Sequence, residues 1–136
     1  MIDKLVRVLM IEDNAGDARL VMEALKGTSN PAYRVEWVDR LSIGLTRLAE
    51  GEIDVVLLDL GLPDNQGLTA LPLIGSLAPS VPVVVLSGVG DEEFAVEAVQ
   101  AGAQDYVVKG NPSRYLMTRS LRYAIQRKRA DEEHHD

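Results

Sequence analysis

Glu12 and Asp13 sit side by side at the end of one apolar run, VLMIED. Asp59 closes a second run (VVLLD), Ser87 a third (VVVLS) and Lys109 a fourth (YVVK). In a parallel α/β sheet, ligands bind at the carboxyl ends of the strands, so that fold would gather three carboxylates, a hydroxyl and an ammonium. Two unit charges about 4 Å apart repel by ~4 kcal/mol at an effective dielectric of 20. Three carboxylates together therefore call for a cation, and a hard divalent ion resolves the conflict. Mg²⁺ suits the set, because it takes one or two protein carboxylates and leaves room for water and phosphate oxygens, whereas calcium demands more oxygen ligands. Lys109 can pair with Asp59 at rest and hold a phosphate oxygen once that carboxylate is modified, and Ser87 can bond another. Asp59 would be the nucleophile, since carboxylates form aspartyl-phosphates. Each residue alone has a plainer reading: Glu12 and Asp13 as solvated loop acids, Lys109 as a snorkelling surface charge, Ser87 as a turn or cap.

The elements that would position these groups are written in the apolar pattern. Leu5 to Ile11, Val55 to Leu58 and Val81 to Leu86 are short, valine-rich runs, as expected of strands covered on both faces. Tyr33 to Val38 alternates, as an edge strand would. Helical stretches fall between them at Asp17 to Lys26, Ser42 to Glu50, Leu68 to Leu77, Glu92 to Ala101 and Ser113 to Lys128. Gly27 and Gly51 mark C-terminal ends, and Ser42 and Asp91 are expected N-caps. Five alternations of strand and helix imply an α/β, single-domain (βα)₅ fold with right-handed crossovers and helices on both faces of a five-stranded parallel sheet.

Composition narrows the function classes. With 136 residues, 46% hydrophobic, 26% charged and 4% aromatic, the chain fits one globular domain with an aliphatic core. Cysteine is absent, which excludes disulfides and thiolate metal sites. No apolar run approaches the ~18 residues that span a bilayer, and the N-terminus passes into a strand pattern without a cleavage site, so a cytoplasmic protein with no membrane segment is expected. A net charge of −7 argues against direct nucleic-acid binding. The charge is uneven, with half of the 14 basic residues between Lys109 and Arg129.

From residue 5 to 128 the chain resembles the receiver domain of two-component response regulators. The resemblance rests on VLMIEDN, on VVLLDLGLPDNQGL around the acceptor, on VVVLSGVGDEEFAVEAVQAGAQDYVVKG, and on the spacing among them. It implies a doubly wound sheet with the flavodoxin-like strand order 2-1-3-4-5, which periodicity does not supply. It also implies that Asp59 accepts a phosphoryl group from a histidine kinase or a histidine phosphotransfer protein. Glu12, Asp13, Asp59 and the backbone carbonyl of Gly61 would bind Mg²⁺, and Lys109 and Ser87 would hold the acyl phosphate. Tyr106 matches the aromatic switch position: as Ser87 moves toward the phosphate, Tyr106 would turn inward and alter the surface of the fourth helix, fifth strand and fifth helix. The plainer reading of Tyr106 is a core aromatic with a wet hydroxyl. A protein of this kind is a signalling phosphoacceptor, not an enzyme with turnover, and it assists its own phosphorylation and dephosphorylation. It acts on a covalently linked or separate output module, and the resemblance allows a phosphorylation-dependent dimer.

Three departures from the common receiver pattern stand out. Gly110 and Asn111 separate Lys109 from Pro112, so a cis peptide directly after the lysine is not expected. The hydroxyl position carries serine where threonine is frequent. Gly61, two places after the acceptor, has no side chain to obstruct an attacking water. Residues 1–128 are read as the receiver and 129–136 as a charged tail or the start of a helical linker, with Met117, Leu121, Ala124 and Ile125 at helical spacing before it. His134 and His135 are too few for a metal site. Two rival functions remain. A metal-dependent aspartyl-phosphate phosphatase usually has a second acid where Gly61 stands. A flavodoxin-like binding module needs a phosphate-cradling loop where Glu12 and Asp13 stand.

Overall fold

The computed structural model describes residues 5–29, 31–62, 67–88, 90–110 and 113–133. Strands and helices alternate through them: β1 (Leu5–Ile11), α1 (Ala15–Leu25), β2 (Ala32–Val38), α2 (Leu41–Ala49), β3 (Val55–Asp59), α3 (Gly67–Leu77), β4 (Val83–Ser87), α4 (Glu92–Gln100), β5 (Asp105–Val108) and α5 (Arg114–Glu133). The five strands form one parallel sheet in the order β2-β1-β3-β4-β5, as the resemblance implies.

Every residue of β3 and β4 is buried, so both faces of the sheet centre need cover, while β2 at one edge is half-buried or exposed. Successive side chains of a strand point to opposite faces. Leu9 and Ile11 of β1 therefore join Val56, Leu58 and Val85 in a core closed by α2, α3 and α4. Val8 and Met10 join Leu57 and Leu86 in a second core, closed by Val21 and Leu25 of α1 and by Met117 and Leu121 of α5. Each such side chain contributes about 1.5–3 kcal/mol when fully buried, and because both faces are covered the central strands read as unbroken aliphatic runs.

Several element ends differ from the sequence reading, each for a local reason. β4 begins at Val83, not Val81, because Pro82 has no N–H for the ladder and the Val81 N–H turns back to the Ala78 carbonyl (3.1 Å). The expected Ser42 cap is overturned: α2 already starts at Leu41, whose burial against the core draws the chain into the helix one residue earlier. Arg40 takes the N-cap position without a side-chain cap, and the Ser42 carbonyl lies inside the helix, accepting the Thr46 hydroxyl (3.2 Å). Asp91 occupies the N-cap position of α4 but makes no side-chain capping bond. At α1 the cap is Asn14, whose Oδ1 accepts the Asp17 N–H (2.9 Å).

Gly27 and Gly51 follow α1 and α2 with φ of +78° and +86°, the left-handed conformation that glycine adopts without steric cost. Gly44, inside α2, matters for packing instead. A Cβ there would lie 2.6 Å from Ile11 Cδ1, so its absence sets how closely α2 approaches β1. α5 continues to Glu133, past the Lys128 at which sequence periodicity ends it. Residues 63–66 of the acceptor motif, Asn111 and Pro112 after Lys109, and His134 and His135 lie outside the described residues. No helix among the described residues is long and apolar enough to cross a membrane.

Candidate functional site

The strand order places β1 beside β3, β3 beside β4 and β4 beside β5, so the polar residues at their carboxyl ends share one rim of the sheet. Glu12 and Asp13 follow β1, Asp59 is the last residue of β3, and Ser87 is the last residue of β4. One carboxylate oxygen from each of Glu12, Asp13 and Asp59 lies within 4.8 Å of the others. Lys109, just past β5, is anchored by its backbone N–H to the Ser87 carbonyl (2.7 Å) and sends its side chain across β4 to β3 and β1. Its Nζ lies 3.1 Å from Asp59 Oδ1, 3.2 Å from Glu12 Oε1 and 3.2 Å from Asp17 Oδ2. The Gly61 N–H donates to Asp59 Oδ1 (3.2 Å).

The electrostatics of the cluster follow from burial and crowding. Glu12 is fully buried (0% exposed). Burial, then the charge of Asp59, push its carboxyl up to about 7, against the opposing Asn14 N–H and Lys109 ammonium. The Asn14 N–H donates to Glu12 Oε2 at 3.1 Å. Asp13 is exposed, and sharing a hydrogen bond with Asp59 raises it, helped by partial desolvation. Asp59 goes the other way. Burial acts upward on it, but hydrogen bonds from Asp13, the Gly61 N–H and Glu12, together with the Lys109 charge, hold it below the usual carboxylate range. Burial also opposes charge on Lys109, and Asp59 and Glu12 more than offset it, raising the ammonium above its ordinary value. Asp59 is thus the carboxylate that stays ionised in the crowd.

Within 4.8 Å and at an effective dielectric of ~20, two of these carboxylates, both ionised, repel by at least about 3.5 kcal/mol. One ammonium cannot neutralise three acids. The donor set is all oxygen, with Glu12 enclosed and Asp13 open to solvent, which fits a hard divalent cation of the magnesium class that retains waters. The hydroxyl side of the site is also unsatisfied: Ser87 Oγ is buried without a hydrogen-bond partner among the described residues, and such a group is costly until a bond is made.

Sequence reasoning names Glu12, Asp13, Asp59, Gly61, Ser87 and Lys109, and all six meet at this rim. Tyr106 does not reach it. It pairs with Val85 across the sheet, is half-buried against the first core, and lines a groove of about 1080 Å³ between β5 and α5. Sequence reasoning misses Asp17, although it stands four residues after Asp13 and in the first turn of a helix. Asp13 precedes the Asn14 cap, so helical spacing does not link the two, and Asp17 is brought to the site by the first turn of α1, where it meets Lys109. Trp37 is missed as well; its indole Nε1 donates to the Glu12 carbonyl at 2.6 Å.

Comparison with known proteins bears on the family and the fold. The model of the response regulator receiver domain matches residues 8–120. The KDP operon transcriptional regulatory protein KdpE of Escherichia coli is 34% identical over 123 residues, covering 90% of this chain and 52% of that protein. The response regulator protein FleR of Pseudomonas aeruginosa is 32% identical over 120 residues, 88% of this chain and 24% of that protein. The chain thus spans about half the length, or less, of these relatives. Among solved structures, a response regulator receiver domain protein from Clostridium thermocellum superposes with a TM-score of 0.78 at 26% identity, over 92% of this chain and 98% of that one.

Proposed function

The chain belongs to the response regulator receiver domain family, and from that premise we propose that it is a phosphoacceptor, with Asp59 taking a phosphoryl group from a phosphohistidine of a histidine kinase or histidine phosphotransfer protein. An Asp59 carboxylate oxygen attacks phosphorus in line, the P–N bond breaks, and the imidazole leaves, taking up a proton from solvent. The product is an acyl phosphate on Asp59. The low-lying Asp59 carboxyl keeps the nucleophile ionised. Lys109, already bonded to Asp59, holds a phosphoryl oxygen, and the unpartnered Ser87 hydroxyl donates to another. Glu12, Asp13, Asp59 and the Gly61 carbonyl are the groups we assign to Mg²⁺, which when bound would neutralise charge on the transferring oxygens.

The observation that carries this reading is the Lys109 side chain reaching from the end of β5 to within 3.1 Å of Asp59, beside the acidic pair. Phosphorylation adds about −1.5 to −2 charge. Ser87 would then move toward the phosphate and Tyr106 inward, reshaping the surface of α4, β5 and α5, where Tyr106 lines the groove beside α5. Hydrolysis by an in-line water would return the carboxylate, so the domain acts as a timed signal in the cytoplasm and has no separate substrate to turn over. The greater length of its relatives supports an output module, linked or separate, and phosphorylation-dependent pairing of two copies is one way to reach it. We assign residues 1–128 to the receiver and 129–136 to the charged start of a connector or tail; the continuation of α5 to Glu133 favours a connector.

Incubation with acetyl phosphate and Mg²⁺, followed by intact mass, tests the reading. One phosphoryl addition that Asp59→Asn abolishes supports it. Release of inorganic phosphate with turnover and no accumulated adduct favours a phosphatase, and no reaction at all favours a binding module.

A further inference from the structure

β1 ends at Ile11, but β2 keeps hold of the next residue. The Glu12 N–H donates to the Val38 carbonyl (3.0 Å), extending the ladder by one bond, and the Glu12 carbonyl accepts the Trp37 indole N–H (2.6 Å). Past this point the two strands part, because β2 closes at Val38. The indole therefore supplies a donor to a carbonyl that the ladder leaves behind. That carbonyl belongs to the peptide joining Glu12 to Asp13. Its orientation decides where the Asp13 carboxylate stands relative to Asp59, and the Glu12 carboxylate is fixed separately by the Asn14 N–H and Lys109. Trp37 holds this position at the cost of exposure. It is 39% exposed at the sheet edge, belongs to neither core, and is the chain's one tryptophan. A residue placed for packing alone would be expected in one of the cores.

We propose that Trp37 is a positioning residue for the divalent-cation site: through the Glu12 carbonyl, its indole N–H sets the Glu12–Asp13 peptide so that the Asp13 carboxylate faces Asp59. The inference rests on the receiver reading and adds a residue to it. A carboxylate that must be drawn into place binds a cation more weakly than one already held there, since the ordering is then subtracted from the binding. Loss of the N–H should thus act on cation affinity and leave the phosphoryl step itself largely intact.

Two changes separate the N–H from the ring. Trp37→Phe removes the donor and some packing. Benzothienylalanine at position 37 keeps the bicyclic shape and replaces N–H by sulfur. Mg²⁺ binding is measured by calorimetry at fixed pH, and acetyl phosphate incorporation by intact mass across a Mg²⁺ series, with thermal unfolding in chelator as a check on the fold. Expected for both proteins is an Mg²⁺ dissociation constant about three- to tenfold higher than wild type, the range for one lost hydrogen bond. The rate at saturating Mg²⁺ should stay within about twofold, because the phosphoryl contacts are untouched. The proposal is overturned if the benzothienyl protein binds Mg²⁺ as wild type does, or if the rate falls equally at limiting and saturating Mg²⁺. If Trp37→Phe fails to fold, the benzothienyl protein decides. A wild-type protein that binds Mg²⁺ and is phosphorylated, paired with unaltered variants, sinks the role of Trp37 alone. A wild type that does neither sinks the receiver reading, and this role with it.

Discussion

In the absence of divalent cation, the protein should become more stable as the pH falls from 8 to 5.5, and Glu12→Gln should remove most of that gain. Glu12 is fully buried and its carboxyl is raised from 4.5 to about 7 in the folded chain. The folded state therefore binds a proton more tightly than the unfolded chain, and stability falls with rising pH wherever the folded state holds the extra proton. The contribution is complete below pH 4.5 and lost as pH rises through about 7. Over the whole window it amounts to about 3 kcal/mol, and between pH 8 and 5.5 to about 2 kcal/mol. The other shifted groups leave this window largely clear: Asp59 is lowered and acts below its ordinary range, and Lys109 is raised and acts far above it. Asp13 is raised and acts in the same direction as Glu12.

Urea melts at pH 8 and 5.5 with chelator present measure the effect, with the wild-type difference set against that of Glu12→Gln to cancel groups elsewhere. The variant should be flatter by about 2 kcal/mol and more stable than wild type at pH 8, because the amide fills the same space without a buried charge. Millimolar Mg²⁺ should raise wild-type stability at pH 8 more than at pH 5.5, since proton and cation compete for the same carboxylate. A wild type whose stability changes between pH 8 and 5.5 by the same amount as that of Glu12→Gln would refute the reasoning, because Glu12 would then not be the buried, proton-hungry member of the cluster.

Three further outcomes follow from the same geometry. Among the described residues a Cβ on Gly61 meets nothing within 4 Å, so bulky side chains there should be accommodated and lengthen the phosphoryl lifetime on Asp59 several-fold by obstructing water; an unchanged decay by intact mass counts against this. Asp17→Asn removes the half-open partner of Lys109 and should lower stability by less than about 1 kcal/mol, leaving phosphorylation of Asp59 by acetyl phosphate intact; a complete loss of labelling would make Asp17 part of the reaction. Gly44→Ala should destabilise by about 1 kcal/mol in a urea melt, since overpacking against Ile11 costs ~1–3 kcal/mol and helix propensity returns ~1; a more stable variant would mean that Ile11 yields freely.

The strands and the residues at their ends are legible because burial on both faces leaves an unbroken aliphatic run, and the first polar residue after such a run marks where the strand leaves the core. Asp59, Ser87 and the Glu12–Asp13 pair are all visible in that way. The order that makes these ends neighbours comes from resemblance, since aliphatic runs do not say which strands pair. Capping reads less well. Ser42 has the right chemistry, but burial of Leu41 starts α2 ahead of it, and packing outweighs a cap worth ~1 kcal/mol. Asp17 carries only a weak signal, as an acid in the first turn of the helix that follows the acidic pair. Trp37 carries none: an aromatic residue on an edge strand looks like packing until the carbonyl it serves is located.

The site's charge count explains why these supporting residues matter. Glu12, Asp17 and Asp59 surround the Lys109 ammonium and Asp13 stands beside Glu12 and Asp59, so with all acids ionised the cluster carries surplus negative charge. The fold contains that surplus by unequal treatment. Glu12 is enclosed and takes up a proton readily, Asp13 is left to solvent, and Asp59 receives the donors that keep it ionised. Such an arrangement is only useful if the carboxylates cannot exchange places, because a cluster free to rotate would share the proton evenly and blunt the nucleophile. The Asn14 N–H holds the Glu12 carboxylate, the Gly61 N–H holds Asp59, Lys109 ties Glu12, Asp17 and Asp59 together, and the Trp37 indole holds the Glu12 carbonyl. The division of labour among chemically similar acids is therefore a property of the rim as a whole, and the loss of any one restraint should be felt first in what the cluster binds and only later in whether the chain folds.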